Sequence, residues 1–450
     1  MFYKFIRIKI TKTYNNVTSR IQRTIILAVA LIQIIIMENL FLDPALIIII
    51  AAVVGFFMAY GIGANDVANA MGTSVGSKAI TLKQAVIIAA IFEFLGAYFA
   101  GGEVTSTIRK GIVDPFLYTN DVNIFIIGML SSLLAAGFWL IIASSRGWPV
   151  STTHSIVGAI VGFVLISKGA SNVSWGTVGN IASSWITSPV ISGLMAFLLY
   201  LSAKYLILDR ENPKQAAIYF IPFYSFFVSA VICLVTARKG LKHVGINWTD
   251  NEIYLFTIGI SIAVSILTFV FLFVQSKNIR NVENQFGILM VVTACAMAFA
   301  HGSNDVANAI GPIAAIVSIV SSDGTIQSSS ELNSWVLLLG AVGIVAGLAI
   351  MGRHVIKTVG EKITTLTPSL GFSANMATAS TVLAASYLGF PISTTHTLVG
   401  GVIGVGLARG YEHLDISSIK RIFASWIITI PVGATFTILF YVILRLIFNV

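Results

Sequence analysis

Charged side chains are scarce in this chain. Asp, Glu, Lys and Arg together make up 10% of its 450 residues, 56% are hydrophobic, and the mean hydropathy is +0.91. This composition excludes an ordinary soluble protein and is typical of a membrane protein. The net charge of +9 does not indicate nucleic-acid binding, because the Lys and Arg residues are mostly scattered between apolar runs, where they fix topology at a membrane surface.

Cysteine is nearly absent as well. The chain has two cysteines, Cys233 and Cys295, which lie in apolar runs far apart in the sequence. They predict neither a disulfide framework nor a metal–thiolate site.

The chain is instead rich in long apolar runs. A helix needs about 20 apolar residues to cross a hydrocarbon core of about 30 Å, so we predict an all-α polytopic membrane protein with roughly 10 to 12 transmembrane segments. The run 370–408 is expected to be two segments that meet at Pro391. The predicted segments lie near 44–63, 84–101, 122–143, 150–167, 176–207, 216–236, 253–275, 286–302, 304–320, 334–352, 370–408 and 421–448.

Residues 1–43 form a basic N-terminal extension with a short apolar run. The run Thr24–Ile36 is too short to span a membrane comfortably, and no small-residue cleavage site precedes Glu38. Two interpretations stay open: a dispensable extension ahead of a start at Met37, or an anchor that binds the membrane surface. The basic residues of the extension are Lys4, Arg7, Lys9, Lys12, Arg20 and Arg23.

Two sequence motifs occur twice, in the same order. GANDVANAMG matches GSNDVANAIG, which places Asp66 over Asp305, and WPVSTTHSIVGAIVGF matches FPISTTHTLVGGVIGV, which places His154 over His396. A third match aligns SSWITSPV with ASWIITIPV. We therefore predict two homologous transport repeats joined by a connector with two transmembrane helices. The predicted bounds are 44–205 for the first repeat, 206–285 for the connector and 286–450 for the second repeat.

The duplicated motifs contain residues that interrupt helices. Gly61, Gly63 and Gly302 precede the Asn-Asp pairs, and Pro149 and Pro391 precede the Ser-Thr-Thr-His runs. Duplicated bundles with broken or re-entrant helices are typical of secondary transporters, whose site lies near the middle of the membrane. Because a broken helix is tolerated only where it faces protein or a water-filled cavity, these interruptions predict a polar site.

Asp66 and Asp305 are ionisable groups in membrane-depth sequence, where a functional role is the usual interpretation. Helix capping explains a single polar residue, but it does not explain why a whole set recurs. The recurring set is Asn65, Asp66 and Asn69 with Asn304, Asp305 and Asn308. Carboxylates and amide carbonyls are hard oxygen donors, which suit small hard cations.

The Ser-Thr-Thr-His runs follow a proline and precede glycine-rich apolar stretches. Their hydroxyls and backbone N–H groups would crowd a helix N-terminus, which favours an anion. The alternative is that Ser and Thr act only as helix caps. For His154 and His396 we expect a supporting hydrogen bond and not direct ligation.

Lys and Arg are missing from all four motif segments, 55–74, 148–166, 296–320 and 388–406. A multiply charged anion beside two aspartates would be strongly repelled at low dielectric. Bound cations can supply the missing positive charge. The sequence thus predicts that an anion and a cation move together, which is symport.

The paired GANDVANA and GSNDVANAIGP motifs, each followed by P-[VI]-S-T-T-H, closely resemble the inorganic phosphate transporter (PiT) family over both repeats. The resemblance implies an inverted-topology repeat bundle in the cell membrane, a homodimer, and import of inorganic phosphate by symport with Na⁺ or H⁺. By the same resemblance, the phosphate-binding residues are Asn65, Asn304, Ser151, Thr152, Thr153, Ser393, Thr394 and Thr395. The coupling-ion residues are Asp66, Asp305, Asn69, Asn308 and Glu93, with Na⁺ at Asp66 and Asp305.

One residue departs from the family pattern. Glu93, in IFEFLGA, matches a functional glutamate of eukaryotic members, whereas the corresponding second-half position is expected to be Asn375 in GFSANMA. This departure removes one carboxylate. Since amides cannot be protonated near neutral pH, it favours Na⁺ over H⁺ as the coupling ion.

Other functions stay open or are disfavoured. A proton-coupled symporter and a transporter of another tetrahedral oxyanion, such as sulfate, stay open. A cation channel or exchanger would leave the Ser-Thr-Thr-His runs unexplained. An intramembrane hydrolase needs one constellation of nucleophile and base, whereas here the whole set is duplicated, so we predict no enzyme, no organic cofactor and no nucleic-acid partner.

Overall fold

The computed structural model describes residues 43–240, 248–275, 281–327, 332–353, 355–356 and 366–450. Over these residues the chain forms thirteen α-helices and no β-strand. The predicted N-terminal extension lies outside the described residues except for Asp43, whose side chain caps the first helix by accepting a hydrogen bond from the amide of Ala45.

Seven helices form the N-terminal part of the chain and six the C-terminal part. They are α1 (Pro44–Gly76), α2 (Leu82–Ala100), α3 (Gly102–Lys110), α4 (Val122–Ser145), α5 (Thr152–Ser167), α6 (Trp175–Ala203) and α7 (Pro213–Val235). The remainder are α8 (Asp250–Gln275), α9 (Val282–Val320), α10 (Ser334–Ile350), α11 (Pro368–Tyr387), α12 (Thr394–Arg409) and α13 (Ile416–Phe448).

Eight helices in the described part of the chain are long and apolar enough to cross a membrane. They are α1, α2, α4, α6, α7, α8, α9 and α13, and α5 and α10 are shorter apolar helices. The prediction of an all-α polytopic membrane protein is confirmed. The two helices expected in the connector correspond to α7 and α8.

The two Asn-Asp motifs lie inside unbroken helices, so the prediction of breaks at Gly61, Gly63 and Gly302 is wrong. Helix α1 contains 33 residues and α9 contains 39, and a helix of the latter length extends about 58 Å at 1.5 Å per residue. The two segments predicted at 286–302 and 304–320 are therefore one helix.

Glycine serves close helix packing at these positions. A Cβ atom on Gly63 would lie 2.9 Å from the backbone nitrogen of Leu348 on α10, and one on Gly302 would lie 2.9 Å from the Cα of Glu93 on α2. Small residues let the backbones of membrane helices approach this closely. These glycines, which look like helix breakers in the sequence, therefore lie where two helices pack closely against each other.

The breaks predicted at Pro149 and Pro391 are present. Helix α5 begins at Thr152 and α12 begins at Thr394, each three residues after its proline. Proline has no backbone N–H and disfavours helical geometry in the residue before it. The run 370–408 is accordingly divided into α11 and α12, as predicted.

The helices that carry the motifs pack across the two halves of the chain. Helix α1 packs against α4 and α10, and α9 packs correspondingly against α11 and α2. Helix α5 packs against α13, while α12 packs against α6. Each motif helix is therefore covered partly by its own half and partly by the other, so neither predicted repeat buries its motifs alone.

Gly302→Ala is expected to destabilise the protein, because the added Cβ would overlap the backbone of Glu93. Such overpacking costs about 1–3 kcal/mol, so the thermal unfolding midpoint in detergent should fall. Gly287→Ala on the same helix is the matched control, since an added Cβ there meets nothing within 4 Å. Equal unfolding midpoints for the two variants would contradict the packing role.

Candidate functional site

The two predicted coupling-ion aspartates come together in the interior. Asp66 on α1 and Asp305 on α9 are both buried, with 1% and 0% of their surface exposed. His301, one turn before Asp305, places its Nε2 3.1 Å from Asp305 Oδ2 and 3.9 Å from Asp66 Oδ2. One ligand atom from each of the three residues lies within 4.8 Å of the others, so they can share one small cation.

Glu93 on α2 joins this cluster. Its side chain is fully buried, and its Oε1 lies 3.2 Å from His301 Nδ1. The imidazole of His301 therefore stands between Glu93 on one side and the two aspartates on the other. Three of the predicted coupling-ion residues meet around a single histidine. We call Asp66, Asp305, Glu93 and His301 the carboxylate cluster.

The matched motifs do not predict His301. Its counterpart at the spacing that aligns Asp66 with Asp305 is Ile62, so comparison of the repeats passes over it. The signal that could have found it is a histidine one helical turn before Asp305, in a membrane-depth run without Lys or Arg.

Several buried oxygens near the carboxylate cluster have no hydrogen-bond donor among the described residues. These oxygens are the two carboxylate oxygens of Asp66, the two of Glu93, and the side-chain carbonyl oxygens of Asn304 and Asn308. Such groups cost free energy when they are buried without a partner. Oxygen ligands of this kind suit a hard cation such as Na⁺. The residues therefore fit the predicted cation site, while their roles stay a prediction.

The asparagines one turn after the aspartates reach across to the other half of the chain. Asn69 Nδ2 donates to Thr395 Oγ1 at 2.8 Å, and Asn308 Nδ2 donates to Thr152 Oγ1 and Thr153 Oγ1, each at 3.3 Å. The predicted ion-binding and phosphate-binding residues are thus direct neighbours. Each motif contacts the partner motif of the opposite repeat.

The Ser-Thr-Thr-His runs form two helix N-termini, as predicted. Ser151 Oγ accepts a hydrogen bond from the His154 amide at 3.2 Å, and Ser393 Oγ accepts one from the His396 amide at 3.2 Å. Both serines are therefore N-caps. The first amides of a helix have no partner inside the helix, and its N-terminus carries partial positive charge, so these two ends favour an anion.

Hydrogen bonds connect the two helix N-termini to each other and to Asp305. Thr153 Oγ1 donates to the Ile392 carbonyl at 3.0 Å, and Thr395 Oγ1 donates to the Val150 carbonyl at 3.3 Å. Thr394 Oγ1 donates to Asp305 Oδ2 at 2.6 Å. The N-terminus of α12, which favours an anion, is therefore joined by one hydrogen bond to Asp305, which favours a cation.

Asn65 and Asn304, predicted to bind phosphate, hold the segments that precede the two helices. Asn65 Nδ2 donates to the Trp148 carbonyl at 2.9 Å, and Asn65 Oδ1 accepts from the Val150 amide at 3.1 Å. Asn304 Nδ2 donates to the Phe390 carbonyl at 3.2 Å. These bonds position the helix starts, and direct contact of the two asparagines with phosphate stays a prediction.

His154 and His396 lie apart from the carboxylate cluster. His154 Nδ1 is 3.3 Å from the Trp426 carbonyl, and His396 Nδ1 is 3.3 Å from the Trp185 carbonyl. Both histidines line a cavity of about 820 Å³ whose other walls are mostly aliphatic and aromatic. The expected supporting hydrogen bonds are present, and this apolar cavity does not suit a polyanion.

Asn375 does not occupy the position that corresponds to Glu93. Gly302 packs on the backbone of Glu93, and its repeat counterpart Gly63 packs on the backbone of Ile344. Ile344 on α10 is therefore the structural counterpart of Glu93. Asn375 lies on α11, where its Oδ1 accepts a hydrogen bond of 2.6 Å from a threonine of α1. The expected correspondence is wrong, because the motif match there rests on local sequence and not on helix packing.

Comparison with known proteins gives consistent matches. The model of the "Phosphate transporter family" matches residues 62–437. The "Putative phosphate permease" of Haemophilus influenzae is 53% identical over 411 residues, which cover 89% of this chain and 97% of that protein. The "Inorganic phosphate transporter 2-1, chloroplastic" of Arabidopsis thaliana is 43% identical over 414 residues, covering 86% and 70%. A solved structure, "The sodium-dependent phosphate transporter", is 43% identical with a TM-score of 0.81, covering 89% of this chain and 99% of that chain.

A cation held by the carboxylate cluster should stabilise the folded protein by mass action. At ten times the dissociation constant the gain is about 1.4 kcal/mol. We expect the thermal unfolding midpoint in detergent to rise when NaCl replaces choline chloride at constant ionic strength, and Asp66→Asn to remove most of the rise. Asp209→Asn is the control, because this carboxylate is exposed and lies outside the cluster. The same rise in all three proteins would show that Na⁺ acts elsewhere.

Proposed function

Because the chain belongs to the phosphate transporter family, we propose that it imports inorganic phosphate across the membrane by symport with Na⁺. The family match covers residues 62–437, and the solved structure that it resembles over 89% of its length is that of a sodium-dependent phosphate transporter. The chain is a multi-pass integral membrane protein of the cell membrane, and its family is one of transporters and not of enzymes.

One observation carries the proposal: the two aspartates and the two helix N-termini form a single site. Thr394 Oγ1, at the start of α12, donates to Asp305 Oδ2, so phosphate at the helix ends would sit beside the carboxylates. Without cations, the negative charges would repel each other strongly at low dielectric. A cation at Asp66 and Asp305 removes this repulsion, so each ligand makes binding of the other more favourable.

The residues divide into two groups. We assign phosphate binding to the helix starts and the segments before them, at Asn65, Ser151, Thr152, Thr153, Asn304, Ser393, Thr394 and Thr395. We assign the coupling ion to Asp66, Asn69, Glu93, Asp305 and Asn308. A homodimer in contact with membrane lipid belongs to the same proposal, and large apolar side chains such as Leu255 and Leu446, 74% and 75% exposed, suit a lipid environment.

Proton-coupled symport is the second candidate, and His301 favours it. This histidine adds a protonatable group in contact with Glu93 and Asp305, beyond the carboxylates that the motifs predict. A proton on the cluster would lower its negative charge as a bound Na⁺ does. The two candidates differ in which gradient drives uptake.

Uptake of labelled phosphate into proteoliposomes, with Na⁺ and pH gradients imposed separately, distinguishes these functions. We expect an inward Na⁺ gradient to drive uptake at equal pH, the phosphate concentration for half-saturation to fall as Na⁺ rises, and sulfate to compete little. Asp66→Asn and Asp305→Asn should each reduce uptake by at least about tenfold, which corresponds to about 1.4 kcal/mol of lost binding energy.

Asp209→Asn, the exposed control, should transport like the wild type, and protein content of the vesicles is measured for every variant. Uptake that is unchanged in choline and accelerated by an inward proton gradient would establish proton coupling instead. Wild-type uptake by either cluster variant would overturn the assignment of the two aspartates.

A further inference from the structure

A cavity of about 460 Å³ leads from the surface to the proposed site. Its lining includes Asn69 and Thr395, which are buried and joined by a hydrogen bond of 2.8 Å, and Arg146 and Arg421, which are exposed. The cavity thus begins at two cations and ends at residues assigned to the coupling ion and the phosphate. We call Arg146 and Arg421 the basic mouth.

The two guanidinium groups are held in place at the entrance. Arg146 lies over the ring of Trp148, 5.0 Å from its centroid, and Arg421 Nη2 donates to Ser418 Oγ at 2.9 Å. No Asp or Glu is among the described residues that line the cavity. Asp415 caps α13 through its first amides, and its Oδ2 also accepts a hydrogen bond of 2.7 Å from Ser418 Oγ, so this carboxylate offsets part of the charge of Arg421. Among the described residues, the lining of the cavity itself carries two positive charges and no negative one.

The basic mouth is coupled to the site by a short, hydrogen-bonded segment. Asn65 accepts from the Val150 amide and donates to the Trp148 carbonyl, and Asp66 is the next residue after Asn65. The segment that carries Arg146 is therefore fixed relative to the carboxylate cluster. An anion bound at the basic mouth would therefore lie in the same cavity as Asn69 and Thr395.

The basic mouth takes one arginine from each predicted repeat, and the two positions related to them by the repeat alignment are uncharged. The spacing that aligns His154 with His396 places Arg146 over Leu388. The alignment of the two Ser-Trp-Ile segments places Arg421 over Asn180. The repeat-related pair therefore consists of an aliphatic and an amide side chain. The arginine pair is therefore not duplicated by the repeats.

We propose that Arg146 and Arg421 form an anion-capture site that admits phosphate from one side of the membrane. The inner site has three carboxylates and would repel an approaching phosphate; two cations at the entrance raise the local phosphate concentration and the association rate. This inference rests on the proposed phosphate transport.

The test is initial phosphate uptake by bacterial cells that lack other phosphate uptake systems, because all copies there face the same way. Arg146→Gln with Arg421→Gln should raise KM for phosphate about three- to tenfold by loss of electrostatic attraction, with little change in maximal rate per copy. Added choline chloride at constant Na⁺ should raise the wild-type KM, since salt screens exposed charges, but should affect the double variant little. Arg146→Lys with Arg421→Lys keeps both charges and should restore the wild-type behaviour.

Arg210→Gln is the matched control, since Arg210 also lies over an aromatic ring, that of Tyr205, but outside the cavity. A wild-type KM and salt dependence in the double Gln variant would overturn the capture site, as would a lower maximal rate at unchanged KM, which indicates a structural role. Absence of phosphate uptake by the wild-type chain would instead overturn the proposed function. If the wild type shows Na⁺-driven uptake, a negative result with the arginine variants counts against the capture site alone and not against the proposed function.

Discussion

Burial of negative charge is the constraint on which the structure depends. Asp66, Asp305 and Glu93 are withdrawn from water at 1% exposure or less, in segments without Lys or Arg. Isolated carboxylates in such surroundings are very costly. The structure supplies partial compensation from His301 and from Thr394, a helix N-terminal residue that donates to Asp305. We propose that the remaining charge is balanced by cations and that the site accepts an anion once they are bound.

The same constraint explains why the two halves of the chain interlock. A helix that begins in the membrane must satisfy or use its first amides, and here each such helix begins where the other half provides polar partners. Asn69 reaches Thr395, and Asn308 reaches Thr153. The two repeats nevertheless differ in chemistry at this site, because the position in the first repeat that corresponds to His301 is Ile62, which cannot bind a proton or a cation.

The sequence identifies residues that come together in the structure where those residues recur, and it fails where a partner in three dimensions decides. Asp66 and Asp305 stand out because polar residues are rare at membrane depth and these two are duplicated. His301 and Ile344 do not recur, so no comparison of repeats identifies them. In the sequence, Gly302 looks like a residue that breaks a helix. Only its close contact with the backbone of Glu93 in the structure shows that it serves helix packing. The breaks at the prolines were predictable because proline disrupts a helix through its own ring and missing N–H group. The effect of a glycine depends on which neighbouring helix packs against it.

The central claim is that phosphate and Na⁺ occupy one site and stabilise each other. Equilibrium binding to the purified protein tests it most directly, with the phosphate dissociation constant measured as Na⁺ is varied, and the Na⁺ dissociation constant as phosphate is varied. Because coupling between two ligands is reciprocal, each ligand should lower the dissociation constant of the other by the same factor. A phosphate dissociation constant that does not change between Na⁺ and choline would contradict the account.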